Sequence, residues 1–271
     1  MPGNKTNCIT IDAHIYPSIH LKRDVKIDCY LPADIASLPE LHLLLINDGQ
    51  DLRTMLFEDI LDELLVDNLV KPILCVGIHC SADRKNEYGT AKILDYKGRG
   101  AKAAQYSRFV MEELLPFIRK TYKIVSFHRK SFAGFSLGGL SALDIVWNNP
   151  EEFHIAGIFS GSLWWRDKDH EDKDFDERND RIMHRQIQQG SYPYWLKFFF
   201  EVGTLDEIAD RNNNGIIDSI DDTRSLIDEL KKKGFEEPND ICYLELEDGK
   251  HDVDTWAKSF PKFLLWGWGN K

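Results

Sequence analysis

A serine hydroxyl becomes a nucleophile at neutral pH only when a base takes its proton and a third group holds that base in place. Gly134-Phe135-Ser136-Leu137-Gly138 reads G-x-S-x-G, the spacing of a sharp strand-to-helix turn that exposes a serine at the top of a sheet. Glycine belongs at both ends of that turn, because a Cβ at 134 or 138 would obstruct the chain passing close by. The same five positions also occur in glycine-rich turns without chemistry, so the flanking pattern has to decide. His251, in Glu247-Asp248-Gly249-Lys250-His251-Asp252, is the one histidine after the apolar run that ends at Val202. Val202-Gly203-Thr204-Leu205-Asp206-Glu207 supplies an acid before it. Asp206 is the expected partner of His251, with Glu207 and Asp210 close enough to compete. The developing oxyanion needs two backbone N–H groups, one after the nucleophile and one from an earlier strand-end loop. Leu137 gives the first, and Gln50, in the turn Asp48-Gly49-Gln50, is the candidate for the second.

A second set of residues could hold a metal. Asp210-Arg-Asn212-Asn-Asn214-Gly215-Ile216-Ile217-Asp218-Ser-Ile-Asp221 follows the EF-hand loop, with oxygen donors at positions one, three, five, nine and twelve and glycine at six. Ca²⁺ takes six to eight oxygens, so the side chains of Asp210, Asn212, Asn214, Asp218 and Asp221 and the Ile216 carbonyl are the expected ligands. Aspartate at position twelve, where the pattern has glutamate, shortens the last arm. The alternative is a polar Asn/Asp/Gly turn without metal.

These groups must be held by strands and helices. Ile9–Tyr16 and Val25–Leu31 alternate apolar and polar residues, as an antiparallel hairpin does. The continuous aliphatic run Leu41–Ile46 and the wholly or partly apolar stretches Pro72–Ile78, Ser131–Phe135, Ile155–Ser160, Trp195–Val202 and Ile241–Leu246 read as strands. Helical spacing predicts helices over 55–65, 101–122, 140–147, 223–233 and 256–266, with Pro116 bending or ending the second. Strands and helices thus alternate, as α/β architecture requires. The elbow has its strand before and its helix after. Residues 81–104 form a long polar loop, and Arg84 and Tyr88 within it are expected in the substrate cleft because the loop leaves the same sheet edge as Ser136. Trp164, Trp165 and Trp195 are further candidates for cleft walls. Residues 166–181, charged in both signs, read as a solvated part of a polar insertion at about 163–194.

The 271 residues, 42% hydrophobic and 29% charged, fit one large α/β domain with no dividing linker. A net charge of −11 without a basic cluster argues against nucleic acid. No run has the length of a membrane span, and Met1 to Cys8 lacks the apolar core of a signal peptide, so a cytoplasmic protein is expected. Five cysteines at irregular spacing read as reduced thiols. His42 and His79, on or beside earlier strands, read as structural. The sequence leaves the assembly open, a homo-oligomer included.

These motifs together resemble the putative esterase family, the α/β-hydrolases that include enterochelin esterases, esterase D and feruloyl esterases. The resemblance rests on Asp48-Gly49-Gln50, Arg84 to Tyr88, the helix around Phe109 to Pro116, Gly134 to Gly139, Ser160-Gly161-Ser162, Gly203 to Glu207, and Lys250-His251-Asp252 with Trp256. Members often read Gly-Gly-His where this chain has Gly249-Lys250-His251. The resemblance implies an α/β-hydrolase fold with a mostly parallel sheet, helices on both faces and an antiparallel N-terminal hairpin. It also implies hydrolysis of a small-molecule ester through an acyl-enzyme, with Ser136, Asp206 and His251 as triad and no organic cofactor. An acyltransferase on the same scaffold, and a calcium-binding interaction protein that has lost catalysis, are the alternatives.

Overall fold

The computed structural model describes residues 8–33, 35, 38 and 40–270. The seven N-terminal residues, read above for a leader, lie outside the described residues. β1 (Ile9–Ser18) and β2 (Arg23–Pro32) form the expected hairpin, antiparallel from Ile9 opposite Pro32 to Ser18 opposite Arg23. They are followed by β3 (His42–Asn47), α1 (Phe57–Val66), β4 (Ile73–Ile78), a one-turn helix α2 (Arg84–Glu87), α3 (Ala103–Arg108), α4 (Leu115–Tyr122), β5 (Lys130–Phe135) and α5 (Leu137–Asn148). Then come β6 (Ile155–Phe159), α6 (Ile182–Gln189), β7 (Lys197–Leu205), α7 (Asp218–Lys233), β8 (Ile241–Lys250) and α8 (Val253–Trp268).

The eight strands make one sheet in the order β1-β2-β4-β3-β5-β6-β7-β8, antiparallel up to the β2–β4 pair and parallel thereafter. Strands β3 to β6 are buried at nearly every position, which is why their sequences are mostly apolar and do not alternate. One core lies between the sheet and α3, α4, α5, α6 and α7, and contains Phe109, Leu140, Ile187 and Leu226. The other lies under α1 and α8 and contains Phe57, Phe159, Phe260 and Phe263. No helix among the described residues is long and apolar enough to cross a membrane.

Four expectations change. The helix over 101–122 is interrupted by a π-helical stretch, Phe109–Leu114, just before Pro116. Proline lacks an N–H and its ring crowds the carbonyl four residues back, and the wider turn relieves that crowding. α7 begins at Asp218, inside the Asn/Asp loop, and ends at Gly234 with φ 118. The last strand runs on to Lys250, which carries His251 directly off its end. The charged stretch 166–181 is not solvated at its ends. Arg166, Asp180 and Arg181 are buried, and Arg181 reaches the buried Asp222 of α7 at 2.8 Å.

Candidate active site

Ser136 sits between β5 and α5 at φ 54, ψ −122, a backbone region an L residue occupies only when its surroundings enforce it. The enforcement is visible around it. A Cβ on Gly134 would lie 2.4 Å from the Gly138 carbonyl oxygen, and one on Gly138 would lie 2.6 Å from Asp48 Oδ2. The Ser136 N–H donates to Phe159 O at 2.8 Å, which ties Ser136 to β6. Leu137 opens α5, so its N–H has no partner within the helix.

The turn after β3 abuts the elbow. Asp48, at φ 58, begins a single 3₁₀ turn, Gly49–Asp51, and Asn47 Nδ2 donates to Gly138 O at 2.8 Å. Arg84 holds this turn with a two-pronged ion pair, Nε to Asp48 Oδ1 and Nη2 to Asp48 Oδ2, both 2.7 Å, and Nη2 also reaches Phe135 O at 3.2 Å. Tyr88 lies beneath, fully buried, with its hydroxyl accepting from the Asp48 N–H at 3.2 Å and its ring 5.1 Å from the Arg84 guanidinium carbon. Tyr88 is thus enclosed and does not line a cleft as expected, whereas Arg84, also expected at the cleft, is partly exposed and engaged with Asp48. The acidic turn draws the guanidinium inward, and the two residues brace the loop that bears Gln50. The Gln50 side chain accepts from Cys80 N–H at 3.2 Å, leaving its backbone N–H as the group of interest.

A cleft of about 270 Å³ is lined by Ser136, Ser160, Gly161, Ser162, Trp164, Asp206, Glu207, Ser219 and His251. Sheet order brings these distant positions together, since β5, β6, β7 and β8 are successive neighbours whose carboxyl ends share one edge. Asp206 Oδ2 lies 3.9 Å from His251 Nδ1, an ion-pair separation longer than a hydrogen bond. The Asp206 side chain is fully enclosed, with no hydrogen-bond donor to either oxygen among the described residues, whereas that of His251 is 39% exposed. Glu207 also faces the cleft. Burial, aided by the carboxylates of Asp218 and Asp222 and opposed by the Ser219 N–H, raises its carboxyl pKa. Lys250, in place of a glycine, is not among the residues of positive φ, so its side chain costs no backbone strain.

Trp256 links three parts of the site. Its ring stacks on Phe135 at 4.9 Å, meets His251 edge-on at 5.4 Å, and its Nε1 donates to Ser160 Oγ at 2.9 Å. Ser160 itself has φ 45, and Ser162 places its Oγ 3.5 Å from Ser136 Oγ. In the sequence these serines carry a family resemblance at a strand end, without a role of their own. Trp164 lines the cleft as expected, with the guanidinium carbons of Arg99 and Arg166 at 5.0 and 5.9 Å from its ring. Nothing in the sequence pointed to those two arginines. Trp165 is fully buried and Trp195 bonds the Pro150 carbonyl, so neither reaches the cleft. His42 is buried and His79 pairs with Asp28 at 2.8 Å, both in structural roles, and the five cysteines are free.

The 210–221 loop has the expected turn, with Gly215 at φ 83. Asp210 accepts from the Asn214 and Gly215 N–H groups at 3.1 and 2.9 Å, and Asn214 Oδ1 from the Ile216 N–H at 2.8 Å. Asp218 meets the Arg211 guanidinium at 3.3 Å, and Asp221 accepts from Asn212 Nδ2 at 2.9 Å. The side chains of Asp210, Asn212, Asn214, Asp218 and Asp221, expected with the Ile216 carbonyl as ligands, thus bond to groups of their own loop. No metal-holding group of three or more His, Cys, Asp or Glu is gathered among the described residues. An Asp218 N–H to Ala209 O bond of 2.8 Å closes the loop at its base, three residues after Asp206.

Comparison with known proteins supports the same fold. The uncharacterized protein YjcH of Bacillus subtilis (strain 168) is 24% identical over 249 residues, 91% of this chain and 92% of that protein. The enterobactin esterase FES from Shigella flexneri, solved in the presence of enterobactin, superposes with a TM-score of 0.72 at 21% identity, covering 97% of this chain. This chain spans only 61% of that enzyme's length. The siderophore hydrolase EstB from Aspergillus nidulans gives a TM-score of 0.67 at 16% identity over 94% of each chain. Residues 18–266 match the family model Esterase, described as Putative esterase, and the chain therefore belongs to that family of carboxylic ester hydrolases.

Proposed function

We propose that this protein hydrolyses a small-molecule carboxylic ester through an acyl-enzyme on Ser136. The observation that carries the reading is the strained, glycine-enforced Ser136 opening into the same cleft as His251 and Asp206. Ser136 Oγ attacks the ester carbonyl as His251 Nε2 takes its proton. The Leu137 and Gln50 N–H groups receive the oxyanion, and His251 returns the proton to the departing alcohol. Water then repeats the sequence on the acyl-serine and regenerates the enzyme. Asp206 orients His251 through Nδ1, the gap of 3.9 Å tightening to a hydrogen bond when the imidazolium forms.

Trp164, flanked by Arg99 and Arg166, suits an aromatic or anionic group beside the scissile bond, and the neighbours' activities nominate siderophore esters for trial. The loop at 210–221 is proposed to take Ca²⁺, supported by its EF-hand spacing and its glycine at position six. Arg211 would have to yield Asp218 for this to happen. The test is hydrolysis of a panel of aryl, feruloyl and siderophore esters by wild type and Ser136→Ala. Loss of about 10⁴-fold or more in kcat with an unchanged melting curve supports the reading. A folded Ser136→Ala protein with near wild-type turnover overturns it.

A further inference from the structure

Beneath the triad lies a second buried carboxyl group that the mechanism above does not use. Glu201 is 1% exposed, and both its carboxyl oxygens lack a hydrogen-bond partner among the described residues, as do both oxygens of Asp206. Four orphaned carboxyl oxygens in one buried region are costly unless they satisfy one another. Strand geometry shows how they can. Side chains at 201 and 203 share a face of β7, and a Cβ on Gly203 would lie 2.8 Å from Asp206 Oδ1. Asp206 therefore folds back over the face that carries Glu201, leaving Oδ2 toward His251.

Two ionised carboxylates cannot share such a place, so one must keep a proton, and that proton needs an acceptor. We propose that Glu201 is a positioning residue of the triad: a neutral carboxyl group that donates a hydrogen bond to Asp206 and holds its other oxygen toward His251. This rests on the triad reading given above and adds a fourth member behind it.

The surroundings favour Glu201 as the proton's holder. Phe159 of β6 and Leu244 of β8 flank it in register, and α8 packs Trp256 and Phe260 into the core on the same face, all uncharged. The Ser160 N–H bonds the Glu201 backbone oxygen at 2.8 Å, and its weaker pull on the carboxyl is outweighed by burial and by Asp206. Burial first, and then the neighbouring Asp206 charge, push the Glu201 carboxyl up to about 8. Asp206 has His251 across from it, and Glu207 is the other ionisable group on its loop that faces the cleft. Above pH 8 the proton leaves, the hydrogen bond is lost and a second charge opposes Asp206. Turnover should therefore fall on the alkaline side with an apparent pKa that belongs to the coupled pair.

The experiment compares pH profiles of kcat and kcat/KM for wild type, Glu201→Gln and Glu201→Met on the best ester, with Asp206→Asn and Ser136→Ala alongside. Glu201→Met removes the donor at similar volume and should lower kcat about tenfold at pH 7 with KM little changed. Glu201→Gln offers an amide N–H that cannot ionise. It should restore most of that kcat and abolish the alkaline fall near pH 8. If Glu201→Met is folded and matches wild type, or Glu201→Gln keeps the alkaline limb, the proposal is overturned. Near wild-type rates in Ser136→Ala and Asp206→Asn would instead reject the triad itself.

Discussion

Replacing Arg84 by alanine separates two roles that the sequence could not tell apart, substrate contact and support of the oxyanion loop. The guanidinium grips Asp48 with two 2.7 Å bonds, and the Asp48 side chain is 2% exposed while that of Arg84 is 29% exposed. Unit charges about 4 Å apart attract by about 4 kcal/mol at an effective dielectric of about 20. Solvent at the exposed side of Arg84 reduces this, but deletion leaves Asp48 buried without its cation, so a net destabilisation of about 2–3 kcal/mol is expected. Asp48 leads directly into Gly49 and Gln50, and Arg84 also touches the carbonyl of Phe135, the residue before Ser136. Losing one oxyanion donor outright costs about 10²–10³ in kcat. A displaced donor should cost about 10–10², with KM within about twofold. Arg84→Lys should fall between, because an ammonium cannot form the planar fork. Urea unfolding gives the stability change, and steady-state kinetics at saturating ester give the rest. A rise in KM with kcat and stability intact would show that Arg84 binds substrate after all and refute the bracing argument.

Gly138→Ala should lower stability by about 1–3 kcal/mol and reduce kcat, read by thermal melting and the acylation burst, because its Cβ would meet Asp48 Oδ2 at 2.6 Å. The raised Glu201 pKa also makes a stability prediction. Its folded state holds the proton more tightly than the unfolded chain, so its contribution is full below about pH 4.5 and is lost as pH rises toward 8. Wild type should lose on the order of 3 kcal/mol relative to Glu201→Gln between pH 4.5 and 7, measured by denaturant unfolding across that range. Ca²⁺ should raise the melting temperature of wild type and not of Asp210→Ala/Asp218→Ala, and saturating Mg²⁺ should replace it poorly. Titration calorimetry without calcium-dependent heat would reduce the 210–221 loop to a polar turn.

The sequence by itself determined the local elements and their order. Aliphatic runs, helical spacing and turn residues depend on neighbours a few positions away, so the hairpin, the elbow and the strand ends bearing Asp206 and His251 could be read directly. The same logic found Trp164 and the glycine of the metal-type loop. What the tertiary structure decided was which distant groups meet. β3 pairs with β5 in the sheet, so Asn47 bonds Gly138 across 91 residues and Asp48 captures Arg84. Tyr88 and Trp165 became core because packing, not residue type, settles which aromatic faces a cleft. Glu201 looks like one polar residue in an apolar strand. Only the tertiary structure brings Asp206 back over Gly203, on the face of β7 that carries Glu201, and no local pattern encodes a turn closing on its own strand.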